Sequence, residues 1–184
     1  MSKLWPGNAG IIDYISHPPQ GDFVDRFPRF AVVLGSTGSI GVNTLEVVAK
    51  SGNLLRICGL AAGKNIGLLA EQASKFRPSC LCVLDETLAG QLRGKLPPDY
   101  KPLILSGPEG YAQIAAMDEA DVVVSAQVGI AGLAGTIAAA LAGKVIALAN
   151  KESLVVGGNL LRRICSQTRG HDEHHLRSTQ THPG

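Results

Sequence analysis

A short apolar run that ends in glycines constrains this chain more than any other feature. Ala31-Val32-Val33-Leu34 passes directly into Gly35-Ser36-Thr37-Gly38-Ser39-Ile40-Gly41, and apolar residues then recur at helical spacing through Leu45, Val47 and Val48. A continuous aliphatic run suits a strand buried on both faces, and the later period is that of a helix. Strand, tight turn and helix in that order open a parallel βαβ unit. Gly35 permits the turn, Gly38 allows close approach to the backbone without a Cβ in the way, and Gly41 lets helix and strand pack tightly. Free N–H groups and the positive dipole end at the helix start then favour an anion such as a diphosphate. Spelling alone decides little, because Gly129, Gly132 and Gly135 repeat the same spacing. A glycine-rich corner with no ligand stays open for the first set, and close packing or a loop beside the ligand is expected for the second.

The alternation continues along the chain. Apolar runs predict strands over 55–61, 80–84, 103–105, 121–125 and 144–148. Helical periods lie between them over 67–76, entered from Asn65, and over 87–96, 109–117 and 133–142, with another helix starting near Lys151. Continuous apolar strands separated by helices imply a doubly wound, mainly parallel Rossmann-like α/β sheet. Three regions are expected: an irregular arm over 1–28 carrying Pro6, Pro18, Pro19 and Pro28, the regular domain over 29–158, and a helix remnant with an unpacked, histidine-rich tail over 159–184.

Composition removes several function classes. At 184 residues one domain is expected, and 45% hydrophobic with 17% charged residues can build a core. A net charge of +2 and 4% aromatics suggest neither a phosphate-neutralising surface nor a base-stacking platform, so no nucleic acid partner is expected. Cys58, Cys80, Cys82 and Cys165 show no CxxC or zinc spacing and read as reduced thiols. The N-terminus carries no export signal, which makes the cytoplasm the expected compartment. The uncharged stretch from Val122 to Ala142 could span a bilayer by length, but Ser125, Gln127 and its glycines fit strand, loop and buried helix instead, so no membrane association is expected.

Two further segments carry chemistry. After the second strand the chain reads Ala61-Ala62-Gly63-Lys64-Asn65. A carboxylate there would bind the ribose hydroxyl of NAD, whereas a lysine can offset the 2′-phosphate of NADP. NADP is therefore preferred, with a solvated Lys64 beside a helix-capping Asn65 as the alternative. After the last strand comes Leu148-Ala149-Asn150-Lys151-Glu152-Ser153-Leu154-Val155, at the strand ends where such sheets collect ligands. Alone, Asn150 could cap a helix and Lys151 and Glu152 could be surface charges; their place at the same sheet edge as Gly38 favours a site.

Taken together, Gly-Ser-Thr-Gly-Ser-Ile-Gly, Ala-Gly-Lys-Asn and Leu-Ala-Asn-Lys-Glu-Ser-Leu-Val resemble the N-terminal domain of the 1-deoxy-D-xylulose-5-phosphate reductoisomerases, from about Phe30 to Gly158. The resemblance implies an NADPH-dependent oxidoreductase that converts 1-deoxy-D-xylulose 5-phosphate to 2-C-methyl-D-erythritol 4-phosphate in non-mevalonate isoprenoid synthesis, with a Mg or Mn ion on the substrate oxygens. It implies NADPH contacts at Thr37, Gly38, Ser39, Ile40, Gly63, Lys64, Asn65, Asn150 and Glu152, a substrate contact at Lys151, and a homodimer.

The family's next motif, Asp-Ser-Glu-His, supplies metal carboxylates and does not follow here, and neither do the phosphate-holding residues and lid of its later domain. The chain therefore looks truncated or frameshifted after about Gly158, with no complete catalytic set, no metal ligands and no expected turnover by itself. Asp172 and Glu173 beside His171, His174 and His175 are not preorganised as a metal site. A non-catalytic NADP-binding module and a fragment of another NADP-dependent dehydrogenase are the alternatives.

Overall fold

The computed structural model describes residues 27–127 and 131–149, together with 160, 161, 163 and 164. Their order is β1 (Arg29–Leu34), α1 (Ser39–Lys50), β2 (Leu55–Ala61), α2 (Ile66–Phe76), β3 (Cys80–Val83), α3 (Glu86–Arg93), β4 (Leu103–Ser106), α4 (Gly107–Ala115), β5 (Val122–Ser125), α5 (Ala131–Leu141) and β6 (Val145–Leu148). The strands form one six-stranded sheet in the order β4-β3-β2-β1-β5-β6. Among the described residues every pairing is parallel, in keeping with the expected mainly parallel sheet.

Alternating side chains along the central strands supply two cores. On one face Ala31, Val33, Leu60, Leu81 and Val83 pack against Leu45 and Val48 of α1, Leu69 and Ala73 of α2, and Ala89 and Leu92 of α3. On the other, Val32, Leu34, Ala61, Cys80, Cys82 and Val123 meet Tyr111, Ile114 and Ala115 of α4 and Ala139 of α5. Val32, Val33 and Leu34 are fully buried, as a strand covered on both sides requires. Each buried Leu or Val contributes roughly 1.5–3 kcal/mol relative to leaving it in water.

Several boundaries differ from the sequence expectation. The third helix stops at Arg93 rather than 96, because Gly94 caps it and the Lys95 N–H turns back to the Leu92 carbonyl. The fourth starts at Gly107 rather than 109: Gly107 has φ +71° and Pro108 fits the first turn, where its missing N–H costs nothing. Leu84 lies beyond β3 and is 42% exposed. The helix expected from Lys151, and most of the arm over 1–28, lie outside the described residues. Leu161 and Ile164 are helical and bury against Ala140, with Leu133, Ile137 and Ile146 alongside.

Candidate nucleotide site at the sheet switch point

Strand order reverses between β1 and β5. From β1 the chain runs outward through β2, β3 and β4, then returns to β1's other side to lay down β5 and β6. The loops that follow β1 and β5 therefore leave toward opposite faces and open a crevice at the carboxyl ends of the strands, where open α/β sheets bind ligands.

The loop after β1 is shaped by backbone contact. Gly35 has φ +83°, and a Cβ there would stand 2.9 Å from the Ala126 carbonyl and the Gln127 nitrogen at the end of β5. At Gly41 a Cβ would collide with the Gly35 carbonyl oxygen and come within 2.6 Å of the Ser36 Cα. Gly38 differs from both: the one neighbour its Cβ would meet is the Gly35 oxygen at 3.4 Å, which is ordinary contact. Gly38 is the N-cap of α1, with no side-chain cap hydrogen bond and no acid in the first turn. The amides of Ser39, Ile40 and Gly41 are those a helix leaves without an intrahelical carbonyl. Gly38, Ser39 and Ile40 are exposed and Thr37 is half-buried, so uncapped donors and the positive helix end face outward together.

The loop after β2 is the neighbour of this one. Leu34 pairs with Ala61, and the Ala61 carbonyl accepts both the Gly35 and Ser36 N–H groups at 2.8 and 2.9 Å. Gly63 follows, with open space where a Cβ would be, then the exposed Lys64 and Asn65. The Asn65 Oδ1 accepts from the Leu68 N–H at 3.2 Å and caps α2, the role that the sequence left as its alternative. That leaves its amide NH2 group for a ligand.

The last strand delivers its end to the same edge. Ala149 N–H donates to the Ser125 carbonyl at 3.0 Å, beside the β1 loop. Asn150, Lys151 and Glu152, expected to contact NADPH and substrate, lie outside the described residues. Of the second glycine set, Gly132 and Gly135 serve close packing. A Cβ on Gly135 would press on the Leu34 side chain at 2.8 Å and one on Gly132 on the Gln127 Cβ at 3.0 Å, while Gly129 lies outside the described residues.

Two side chains behind the loops went unnoticed in the sequence. Gln72 of α2 is buried and donates from Nε2 to the Ser36 carbonyl at 2.9 Å. Tyr111 of α4 is buried and donates its hydroxyl to the Ala62 carbonyl at 2.6 Å, and the Gln127 side chain also hydrogen bonds to that hydroxyl. Burial pushes the Tyr111 phenol well above its ordinary range, so it stays a donor. For Gln72 the available signal was an amide among the apolar residues Leu69, Ala70 and Ala73 of an otherwise core-facing stripe.

Other groups do not compete as a site. A cavity of about 1000 Å³ opens at the opposite sheet edge, lined by Phe30, Arg56, Phe76, Tyr100 and Glu119 among others. It faces the amino ends of the strands, where neither helix N-termini nor the β1 loop can reach a ligand. Cys58, Cys80 and Cys82 are buried free thiols whose burial raises them to about 12, 11 and 12, which makes them inert. Cys165 lies outside the described residues. Among the described residues no group of three His, Cys, Asp or Glu side chains is placed to hold a metal ion, and no helix is long and apolar enough to cross a membrane.

Comparison with known proteins bears on the same residues. The family described as 1-deoxy-D-xylulose 5-phosphate reductoisomerase matches residues 31–158. A curated protein of that name from Oleidesulfovibrio alaskensis is 54% identical over 155 residues, covering 84% of this chain and 38% of the relative. A solved reductoisomerase from Zymomonas mobilis, in complex with NADPH, aligns with a TM-score of 0.71 at 34% identity over 76% of this chain and 36% of that one. Another, in complex with NADPH, fosmidomycin and magnesium, aligns with a TM-score of 0.72 at 40% identity over 76% of this chain and 34% of that one. The chain thus spans under two fifths of the length of these relatives.

Proposed function

This chain belongs to the 1-deoxy-D-xylulose 5-phosphate reductoisomerase family, and from that premise we propose that residues 29–158 form an NADPH-binding domain with its diphosphate seat at the β1–α1 turn. The observation that carries this reading is the outward-facing, uncapped start of α1 at the switch point, in a turn whose close packing at Gly35 and Gly41 leaves no room for a Cβ. The amides of Thr37, Ser39 and Ile40 would bind the diphosphate, with Gly38 leaving room for its approach, and Gly63, Lys64 and Asn65 would hold the adenosine end, with the Lys64 amine offsetting the 2′-phosphate. Asn150 and Glu152 would complete the cofactor contacts and Lys151 would touch the substrate.

NADPH, when bound, supplies a hydride. The residues of this chain would orient it, the β1–α1 turn by holding the diphosphate and Gly63, Lys64 and Asn65 by holding the adenosine end. In the family reaction the substrate would be 1-deoxy-D-xylulose 5-phosphate and the product 2-C-methyl-D-erythritol 4-phosphate, an isoprenoid precursor. A divalent ion belongs to that chemistry, and the described residues offer it no ligand set. Association into a homodimer and a cytoplasmic location complete the reading. For the polypeptide by itself, binding without turnover is the second reading, favoured by its span of 38% of the O. alaskensis relative.

Calorimetric titration of the full chain with NADPH and NADH tests the first reading. NADPH is expected to bind at least ten-fold more tightly, about 1.4 kcal/mol; equal affinities would remove the role of Lys64, and no binding of either would remove the site. Adding 1-deoxy-D-xylulose 5-phosphate and magnesium separates the second, because a module binds NADPH and leaves its absorbance unchanged.

A further inference from the structure

We propose that Gln72 is a positioning residue of the cofactor turn, acting through Ser36 to hold the Thr37, Ser39, Ile40 and Gly41 amides in a diphosphate-binding arrangement. The inference rests on the NADPH reading above. Gln72 stands on the face of α2 that Ile66, Leu69, Ala70 and Ala73 turn into the core, and it is 8% exposed. A leucine there would add to that core with no polar group to satisfy. The amide instead reaches across to the Ser36 carbonyl at 2.9 Å, 36 positions earlier in the chain. Its Oε1, like the Ser36 hydroxyl, is buried without a hydrogen-bond partner among the described residues, so the arrangement retains unpaired polar atoms beneath the turn. Stability alone does not favour such a pair of orphans.

Geometry supplies the reason. A turn that points its N–H groups outward to an anion must point carbonyls inward, and an inward carbonyl in an apolar core needs a donor. The Gly35 and Ser36 N–H groups are taken by the Ala61 carbonyl, and the Gly35 carbonyl accepts from Gly38 N–H at 3.1 Å. The Ser36 carbonyl is met by a side chain from a different element, α2. The same helix begins at Asn65 beside Lys64, two turns away. One rigid element therefore sets the spacing between the diphosphate seat and the adenosine end.

The experiment compares wild-type chain, Gln72→Met and Gln72→Glu for binding of two probes, NADPH and adenosine 2′-monophosphate, with thermal unfolding followed by circular dichroism. Met keeps the volume without the donor; Glu at neutral pH sets a carboxylate against the Ser36 carbonyl. NADPH affinity is expected to fall about ten-fold in Gln72→Met and further in Gln72→Glu, while affinity for adenosine 2′-monophosphate, which has no diphosphate, stays within two-fold. Gln72→Asn, whose shorter amide cannot span the gap, should behave as Met does. Equal NADPH binding by wild type and Gln72→Met overturns the inference. So does a parallel loss of both probes, or loss of cooperative unfolding in both variants, since either makes Gln72 a support of the fold as a whole. Wild-type chain that binds adenosine 2′-monophosphate but not NADPH overturns the reading on which the inference rests.

Discussion

Gly38 and Gly41 sit in one turn and answer to different demands. A Cβ at Gly41 would meet backbone atoms of Gly35 and Ser36, which cannot yield without moving the turn, whereas one at Gly38 would meet a single oxygen at 3.4 Å. Gly41→Ala is expected to lower the unfolding free energy by about 1–3 kcal/mol in urea and to abolish NADPH binding. Gly38→Ala should cost less than about 1 kcal/mol, the difference between glycine and alanine at an N-cap, yet still weaken NADPH by placing a methyl where the diphosphate approaches. Urea unfolding and fluorescence titration of both variants check the contrast. Lys64 is exposed, so Lys64→Ser should leave stability within about 0.5 kcal/mol. Its NADPH affinity should drop about ten-fold with that for NADH unchanged, as a charge that meets only the 2′-phosphate requires.

Among the elements, β1 depends on more than its ladder with β2. Arg29 and Asp121 are both buried, 3.6 Å apart, and the Asp121 carboxylate also accepts the Phe30 N–H at 2.9 Å. This ties the amino ends of β1 and β5 together, and the register of those strands sets how the crevice opens at their other ends. Asp121→Ala would leave a buried guanidinium without its carboxylate and should cost about 3–5 kcal/mol in urea unfolding. Asn65→Ala removes the cap of α2 and should cost about 1 kcal/mol. Because α2 carries Gln72 and its Asn65 cap follows directly on Lys64, that variant should also weaken NADPH, while a cap removed from α3 by Asp85→Ala should not. Sequence patterning exposes such elements when burial is continuous, as in β1, and exposes their ends poorly. The helix expected from 109 begins at Gly107, with Pro108 in its first turn. The partners of Gln72 and Tyr111 lie 36 and 49 positions away, a separation that local spacing does not encode.

The whole molecule couples its core to alkaline pH through buried acids. The thiols of Cys58, Cys80 and Cys82 are raised from about 9 to about 12, 11 and 12, by burial first and neighbouring negative charge second for Cys58 and Cys82. A folded-state value above the unfolded one adds stability that is complete below pH 9 and lost as pH climbs through 11 to 12. The melting temperature should accordingly be flat near neutrality and fall steeply above pH 9, and thiol alkylation should be slow until that fall begins. The glycine turn and the α/β alternation were legible because each is a local demand on backbone space or on burial. The order of the strands was not: Leu103-Ile104-Leu105 reads as apolar as a central strand, yet β4 stands at the sheet edge and Leu103 is 55% exposed. The central claim is that the start of α1 and the start of α2 grip opposite ends of one NADPH. Amide chemical shifts of the full chain, recorded while NADPH is added, test it most directly. Saturable shifts at Thr37–Gly41 and Gly63–Asn65 with one common affinity are expected. Shifts confined to the cavity around Arg56 and Tyr100, with both helix starts unmoved, would contradict it.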